Sequence, residues 1–180
     1  MLAAGGGSRW SGPGHKLLAP FRGRTVVGWA VAHALDAGLD ATFVVSGAVP
    51  LDGVVPAGAT LIDNPDWARG QSGSLQVAIG AAAAAGAEAI VVGLGDQPMI
   101  GPDAWRAVAA CSSHPIVVAT YDGRRRNPVR LASSVWPLVS TEGDEGARHL
   151  IRERPDLVIG VACEGDPSDI DTPEDLAPWS

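Results

Sequence analysis

Apolar positions along the chain fall into short runs separated by glycine-rich turns, and two spacings alternate. Uninterrupted β-branched and apolar runs at 41–46 (ATFVVS), 89–94 (AIVVGL) and 116–121 (IVVATY) predict buried strands. A weaker strand pattern lies at 60–62, and 157–162 is a final strand. Between them are helical stretches. The first, 25–37, has Thr25 in the N-cap position and Gly38 just past its end. The others are 73–85, which closes at Gly86, 102–110, with Pro102 in its first turn, and 144–153. Near the end, Thr172, Pro173 and Asp175 have the spacing of a capping box, with Asp in place of Glu or Gln. The segment 123–131 (GRRRNPVRL) interrupts the alternation. It is polar and basic, and it predicts a hairpin or loop lying over the strand ends.

Continuous apolar strands alternating with helices predict a three-layer α/β fold whose mostly parallel sheet is covered on both faces. In such sheets ligands sit beyond the carboxyl ends of the strands. That rule gathers three segments at one mouth: the glycine-rich 5–16, the turn 95–99 and the acidic 169–175.

Length and charge narrow the function. A chain of 180 residues fits one domain, 1–180, able to form a core without disulfides or metal. A net charge of -7 argues against broad binding to nucleic acid or to an anionic membrane, so any anionic ligand needs a local site. The longest apolar stretch, 77–85, is too short to cross a bilayer. The first ten residues lack the apolar core of a signal peptide. The two cysteines, Cys111 and Cys163, form no CxxC and read as reduced core thiols. The protein is therefore expected to be cytoplasmic.

Four segments carry candidate chemistry. The glycines of LAAGGGSRWSGPGHK (2–16) allow backbone N–H groups to approach phosphate oxygens, with Arg9 and Lys16 adding charge. The segment is neither a Walker A loop nor a dinucleotide fingerprint. Lys16 is the only lysine, against 12 arginines, and a compact ammonium suits a triphosphate. Asp96 in GDQP follows a buried strand directly, a position suited to holding Mg²⁺. Asp171, with Asp169, precedes the capping box and is not needed by it; carboxylates from two loops commonly share a metal with substrate phosphates. In NPDWARGQSGSL (64–75), Ser72 and Ser74 lie in the first turn of a helix, where free N–H groups and hydroxyls can meet a base or phosphate. Arg124 to Arg126 are either a solvated run or a pocket for an anionic second substrate.

LAAG…R…K, NPDWARGQSGSL, GDQP, RRNPVRL, GDEGARHL and DIDTPEDL, in this order through nearly the whole chain, resemble the MobA-like nucleotidyltransferase family. The similarity is greatest to its molybdenum-cofactor cytidylyltransferase branch. The resemblance implies a Rossmann-like fold and transfer of a nucleoside monophosphate from an NTP, CTP favoured, to the phosphate of a molybdopterin-type acceptor. By the same resemblance Leu2, Ala3, Ala4, Gly5, Gly6, Gly7 and Lys16 hold the nucleotide, and Asp96 and Asp171 bind Mg²⁺. Lys16, Arg9 and Asp96 carry the catalysis. Arg126, Asn127, Pro128, Gly146 and Arg148 face the acceptor. A transient contact with a molybdenum hydroxylase or its maturation factor is a further implied partner. Two departures stand out. The family has a strand of about five residues before LAAG, whereas only Met1 precedes Leu2 here. The first strand is thus expected to be truncated, with the start assigned too far downstream. The spacer 11–15 (SGPGH) is also longer than usual before the lysine. Two other readings remain open: the same chemistry on a sugar phosphate or phospho-hydroxy acid, and a non-catalytic cofactor-binding maturation factor.

Overall fold

The computed structural model describes residues 1–179. Nine strands and five α-helices follow one another along these residues. The strands are β1 (Leu2–Ala3), β2 (Pro20–Phe21), β3 (Arg24–Thr25), β4 (Thr42–Ser46), β5 (Ala59–Asp63), β6 (Ala89–Val92), β7 (Ile116–Tyr121), β8 (Arg124–Ala132) and β9 (Val158–Ala162). The helices are α1 (Val26–Asp36), α2 (Gln71–Ala84), α3 (Pro102–Ala110), α4 (Arg148–Glu153) and α5 (Pro173–Leu176). β2 and β3 form a small separate hairpin.

The main strands run in the order β5–β4–β1, then β6–β8–β7–β9. The two groups join through the chain start. Leu2 pairs with Val45 of β4 on one side and bridges in parallel to Leu94 on the other. β1 is short, as predicted, yet it is bonded on both flanks. The Leu2 N–H donates to Gly93 O at 2.9 Å, the Gly95 N–H to Leu2 O at 2.8 Å and the Val45 N–H to Met1 O at 2.9 Å. The connection leaves β1 towards β4 and β5, then returns to β6 on the opposite side of β1. The crevice beyond β1 and β6 is therefore the place where the strand order reverses, the usual ligand position in an open α/β sheet.

Alternation along each strand divides the core into two layers. Val44, Val117 and Ala119 face one cluster with Val27 and Val31 of α1 and Trp105 and Val108 of α3. Val45, Ile116 and Val118 face the other, with Leu75 and Ile79 of α2 and Leu150 of α4. Helices cover both faces, as the uninterrupted apolar strands require. Thr25 caps α1, its Oγ1 accepting from the Gly28 N–H at 3.0 Å. The Thr172 capping box is formed as its spacing predicts.

Three expectations need correction. Residues 124–132 form no loop over the strand ends; they are the longest strand, lying antiparallel between β6 and β7. The hairpin part of that expectation holds, since a tight turn joins β7 to β8. The strand was hidden by a bulge: β7 advances one residue, Val118 to Ala119, while their partners step from Val129 to Arg126. Asn127 and Pro128 are the unpaired residues, a device that re-aims side chains. Next, α4 begins at Arg148 and not at 144. Gly143 and Gly146 both take positive φ, 92° and 54°, so 143–147 turns where a helix would need negative φ. Lastly, Cys111 and Cys163 are free but only partly buried, not core residues. Among the described residues no helix is long and apolar enough to cross a membrane.

Candidate active site

The crevice beyond β1 and β6 holds a cavity of about 400 Å³. Its walls follow from local folding. The chain turns from β1 straight into the glycines, so Ala4, Gly5 and Gly6 form one wall. Trp67 forms another, packed so closely that a Cβ on Gly47 would lie 2.6 Å from the Trp67 Cβ. At the mouth of α2, Gly70 has φ 112°, and a Cβ there would sit 2.6 Å from Gly143 O. Only glycine fits this position. The approach lets the Ser72 N–H donate to Gly143 O at 3.0 Å, pinning the 143–147 turn to the start of α2.

Lys16 lies at the base of the cavity, 8% exposed. Its Nζ donates to Asp96 Oδ2 at 2.6 Å and to Asp171 Oδ1 at 2.7 Å. Arg9 reaches Asp171 Oδ2 at 2.8 Å. Residues far apart in sequence thus form one charged cluster. Burial alone would lower the Lys16 pKa, but Asp96 and Asp171 outweigh it and hold the ammonium above its usual value. Asp169 stands nearby. Burial, then the Asp96 and Asp171 charges, push its carboxyl up. The two principal carboxylates are held in register through the backbone, since the Ile170 N–H donates to Asp96 O at 2.8 Å.

His15 ties down the lysine loop. Its Nδ1 accepts from the Leu17 N–H at 3.3 Å, which leaves Nε2–H to donate to Gly5 O at 3.1 Å. The bond accepted at Nδ1 requires the neutral ring, and burial, the largest effect, lowers its pKa against the opposing pull of the Gly5 carbonyl. The long spacer therefore returns to the glycine turn instead of displacing the lysine.

The capacity for a metal can be judged from the donors. Asp96 Oδ1 is buried and has no hydrogen-bond partner. Among the described residues no group of three His, Cys, Asp or Glu side chains is placed to hold a metal alone. Two carboxylates and a free acceptor oxygen, completed by phosphate oxygens and water, fit the way Mg²⁺ is usually bound.

Of the residues expected to bind nucleotide, Leu2, Ala3, Ala4, Gly5, Gly6, Lys16 and Ser74 line the cavity. Gly7 and Ser72 are not among its lining residues. Gly7 takes φ +62°, and the Ser72 hydroxyl is buried without a partner. Of the residues expected to face an acceptor, Arg126, Asn127 and Arg148 line a second, wider cavity of about 1720 Å³, whereas Pro128 and Gly146 do not. The two cavities share Arg9, Arg148, Asp169 and Asp171.

Gln97 was not singled out by the sequence, although it follows Asp96 directly. It is 4% exposed. Its Nε2 donates to Pro167 O at 2.9 Å and its Oε1 accepts from Asn127 Nδ2 at 2.8 Å. One amide thus joins the Asp96 turn, the bulge of β8 and the loop that carries Asp169 and Asp171. Gln97→Leu would leave both partners unpaired. It is expected to cost about 1–3 kcal/mol of stability, read by urea denaturation.

Comparison with known proteins gives concordant results. The MobA-like NTP transferase domain matches residues 1–158. The purine catabolism protein PucB of Bacillus subtilis (strain 168) is 30% identical over 193 residues, covering 97% of this chain and 92% of that protein. The nicotine blue oxidoreductase of Paenarthrobacter nicotinovorans is 35% identical over 193 residues, covering 98% and 92%. Among solved structures, Rv0371c from Mycobacterium tuberculosis H37Rv superimposes with a TM-score of 0.82 at 28% identity, covering 98% of this chain and 93% of that one. A complex of Rv0371c with manganese gives a TM-score of 0.75 at 28% identity, covering 99% and 94%.

Proposed function

The chain belongs to the MobA-like NTP transferase domain family, and from that premise we propose that it moves CMP from CTP onto the phosphate of a molybdopterin-type acceptor, releasing pyrophosphate. The observation that carries a two-substrate transfer is the meeting of the two cavities. A glycine-walled chamber and an arginine-lined cleft share Arg9, Arg148, Asp169 and Asp171, with Lys16 and Asp96 on the nucleotide side of that junction. A donor triphosphate and an acceptor phosphate can therefore approach the same charged cluster from opposite sides. The choice of CTP and of a pterin acceptor rests on the order of the sequence motifs. Neither the name of PucB nor that of the nicotine blue oxidoreductase specifies an acceptor phosphate.

The chemistry asks little of general bases. An oxygen of the acceptor phosphate, already anionic, attacks the α-phosphorus of the NTP. The bond from that phosphorus to the bridging oxygen breaks, and pyrophosphate leaves with the electron pair. The chain must align the two phosphates and balance their charge. The N–H groups of the glycine turn, Lys16 and Arg9 are positioned to do so. Asp96 and Asp171 would hold Mg²⁺, which when bound supplies further neutralisation at the phosphates. The manganese complex of Rv0371c supports a divalent cation in this fold.

The test is pyrophosphate release from purified protein with each NTP, Mg²⁺ and molybdopterin cofactor. Release with CTP and the pterin is expected. Release with another NTP would correct the base, and release only with a sugar phosphate or phospho-hydroxy acid would correct the acceptor. No release with any pair, despite tight binding of cofactor, would favour a carrier over a transferase.

A further inference from the structure

Six arginines line the wider cavity against five aspartates, and three of the arginines are consecutive. Arg124, Arg125 and Arg126 open β8, all exposed and all lining this cleft. Among the described residues none of the three forms an ion pair. Arg126 donates only to the neighbouring Arg125 O, at 3.1 Å. Elsewhere Arg9, Arg106, Arg152 and Arg154 each meet a carboxylate. In a chain of net charge -7, carboxylates are in excess, and Asp122 and Asp166 line the same cleft, yet among the described residues none forms an ion pair with this triplet.

The triplet's location follows from the register of the sheet. β8 is antiparallel to β6 and pairs Val129 with Val92, so residues before 129 extend past the carboxyl edge of β6, over the GDQP turn. Asn127 marks the near point, bonded to Gln97 beside Asp96. From there β8 continues backwards to Arg124 at the hairpin turn. Three residues of strand span about 10 Å. The guanidinium triplet therefore lies along the same cleft as the reacting groups but displaced outward from them. The cleft volume, about 1720 Å³, also exceeds the roughly 300–1,000 Å³ of a site for one compact ligand.

We infer that the cleft recognises a bis-anionic acceptor: one phosphate reacts beside Arg9, Lys16 and Asp96, and a second anionic group about 10 Å away is held by Arg124 to Arg126. The inference rests on the nucleotidyltransferase reading of the site and deepens it, because it excludes acceptors whose only anionic group is the reacting phosphate. Guanidinium groups bind such oxyanions through paired N–H donors.

A molecular ruler tests it without knowledge of the acceptor. Hexane-1,6-diol bisphosphate carries two phosphates at the ends of a six-carbon chain, and hexyl phosphate carries one. Both are titrated calorimetrically into the wild-type protein and into Arg124→Gln/Arg125→Gln. Neither substituted residue lines the nucleotide cavity, so unchanged CTP affinity serves as the check on folding. The wild type is expected to bind the bisphosphate at least tenfold more tightly than the monophosphate, and the double variant to bind the two equally. Equal binding by the wild type, or a preference that survives in the variant, would overturn the inference. The pyrophosphate assay reports on the reaction separately. Turnover with molybdopterin but no bisphosphate preference would sink the two-anion cleft alone. A preference without turnover on any pterin would retain the cleft and remove the pterin.

Discussion

Asp96→Asn is expected to lower the rate of pyrophosphate release by about 10²-fold or more, the loss typical of removing a main electrostatic contact to a developing charge. The substitution preserves shape and changes charge. It leaves the Asp96 carbonyl, which accepts from the Ile170 N–H, in place, so the acidic loop should keep its position. What it removes is a carboxylate 2.6 Å from the Lys16 ammonium and the negative charge on an unpartnered buried oxygen, Oδ1. Asp96→Ala should be at least as severe. Asp63→Ala, at the exposed end of β5 and outside both cavities, should be mild and is the natural control. Single-turnover pyrophosphate release with saturating CTP and acceptor separates the variants. Near-normal rates in Asp96→Asn would remove Asp96 from the chemistry.

Lys16→Met should act twice. In the reaction it removes the buried cation that lines the nucleotide cavity beside Arg9 and Arg148, with an expected loss of about 10²–10³-fold in kcat/KM for the nucleotide. In the free protein it leaves Asp96 and Asp171 without their shared counter-charge. Breaking a buried ion pair by deleting one partner typically costs about 3–5 kcal/mol, and the carboxylates here are only 18% and 15% exposed. Two measurements distinguish these effects. Urea denaturation without divalent ions should show the lost stability. Added Mg²⁺ should raise the Tm of Lys16→Met more than that of the wild type, because the cation replaces the missing charge between the carboxylates. A Tm response equal in both proteins would argue against Asp96 and Asp171 as metal ligands. The pH dependence has a definite sign. The Lys16 pKa is raised in the folded state, so its stabilisation is fully present below its ordinary value of 10.5 and is lost as pH rises through the higher folded value.

How far the site could be read in advance varied from residue to residue. Lys16, Asp96 and Asp171 were legible because each stands where local pattern gives a polar residue no structural duty. Lys16 is the single lysine, Asp96 follows a buried strand, and Asp171 gives the cap after it only a backbone N–H, donated to Asp175 Oδ2 at 2.9 Å, so its carboxylate is left over. Gln97 was not legible. Its importance lies in an amide with two partners 30 and 70 residues away, and no local pattern encodes such a pair. Ser72 shows the reverse. Its place in the first turn of α2 suggested a ligand contact, but the turn at Gly143 claims its backbone N–H.

By itself the sequence determined the alternation of elements. A β-branched run favours a strand covered on both faces, and a run at 3.6-residue spacing favours a helix that covers one of them. It also determined the caps at Thr25 and Thr172, which depend on contacts within a few residues. Only the tertiary structure decided that 124–132 is an inner antiparallel strand. Its polar, basic start resembles a loop until the bulge at Asn127 and Pro128 separates an exposed half from a buried one. The tertiary structure alone also placed Lys16 between Asp96 and Asp171. Those residues are 80 and 155 positions from it, and charge attraction through a folded core has no signature in local spacing.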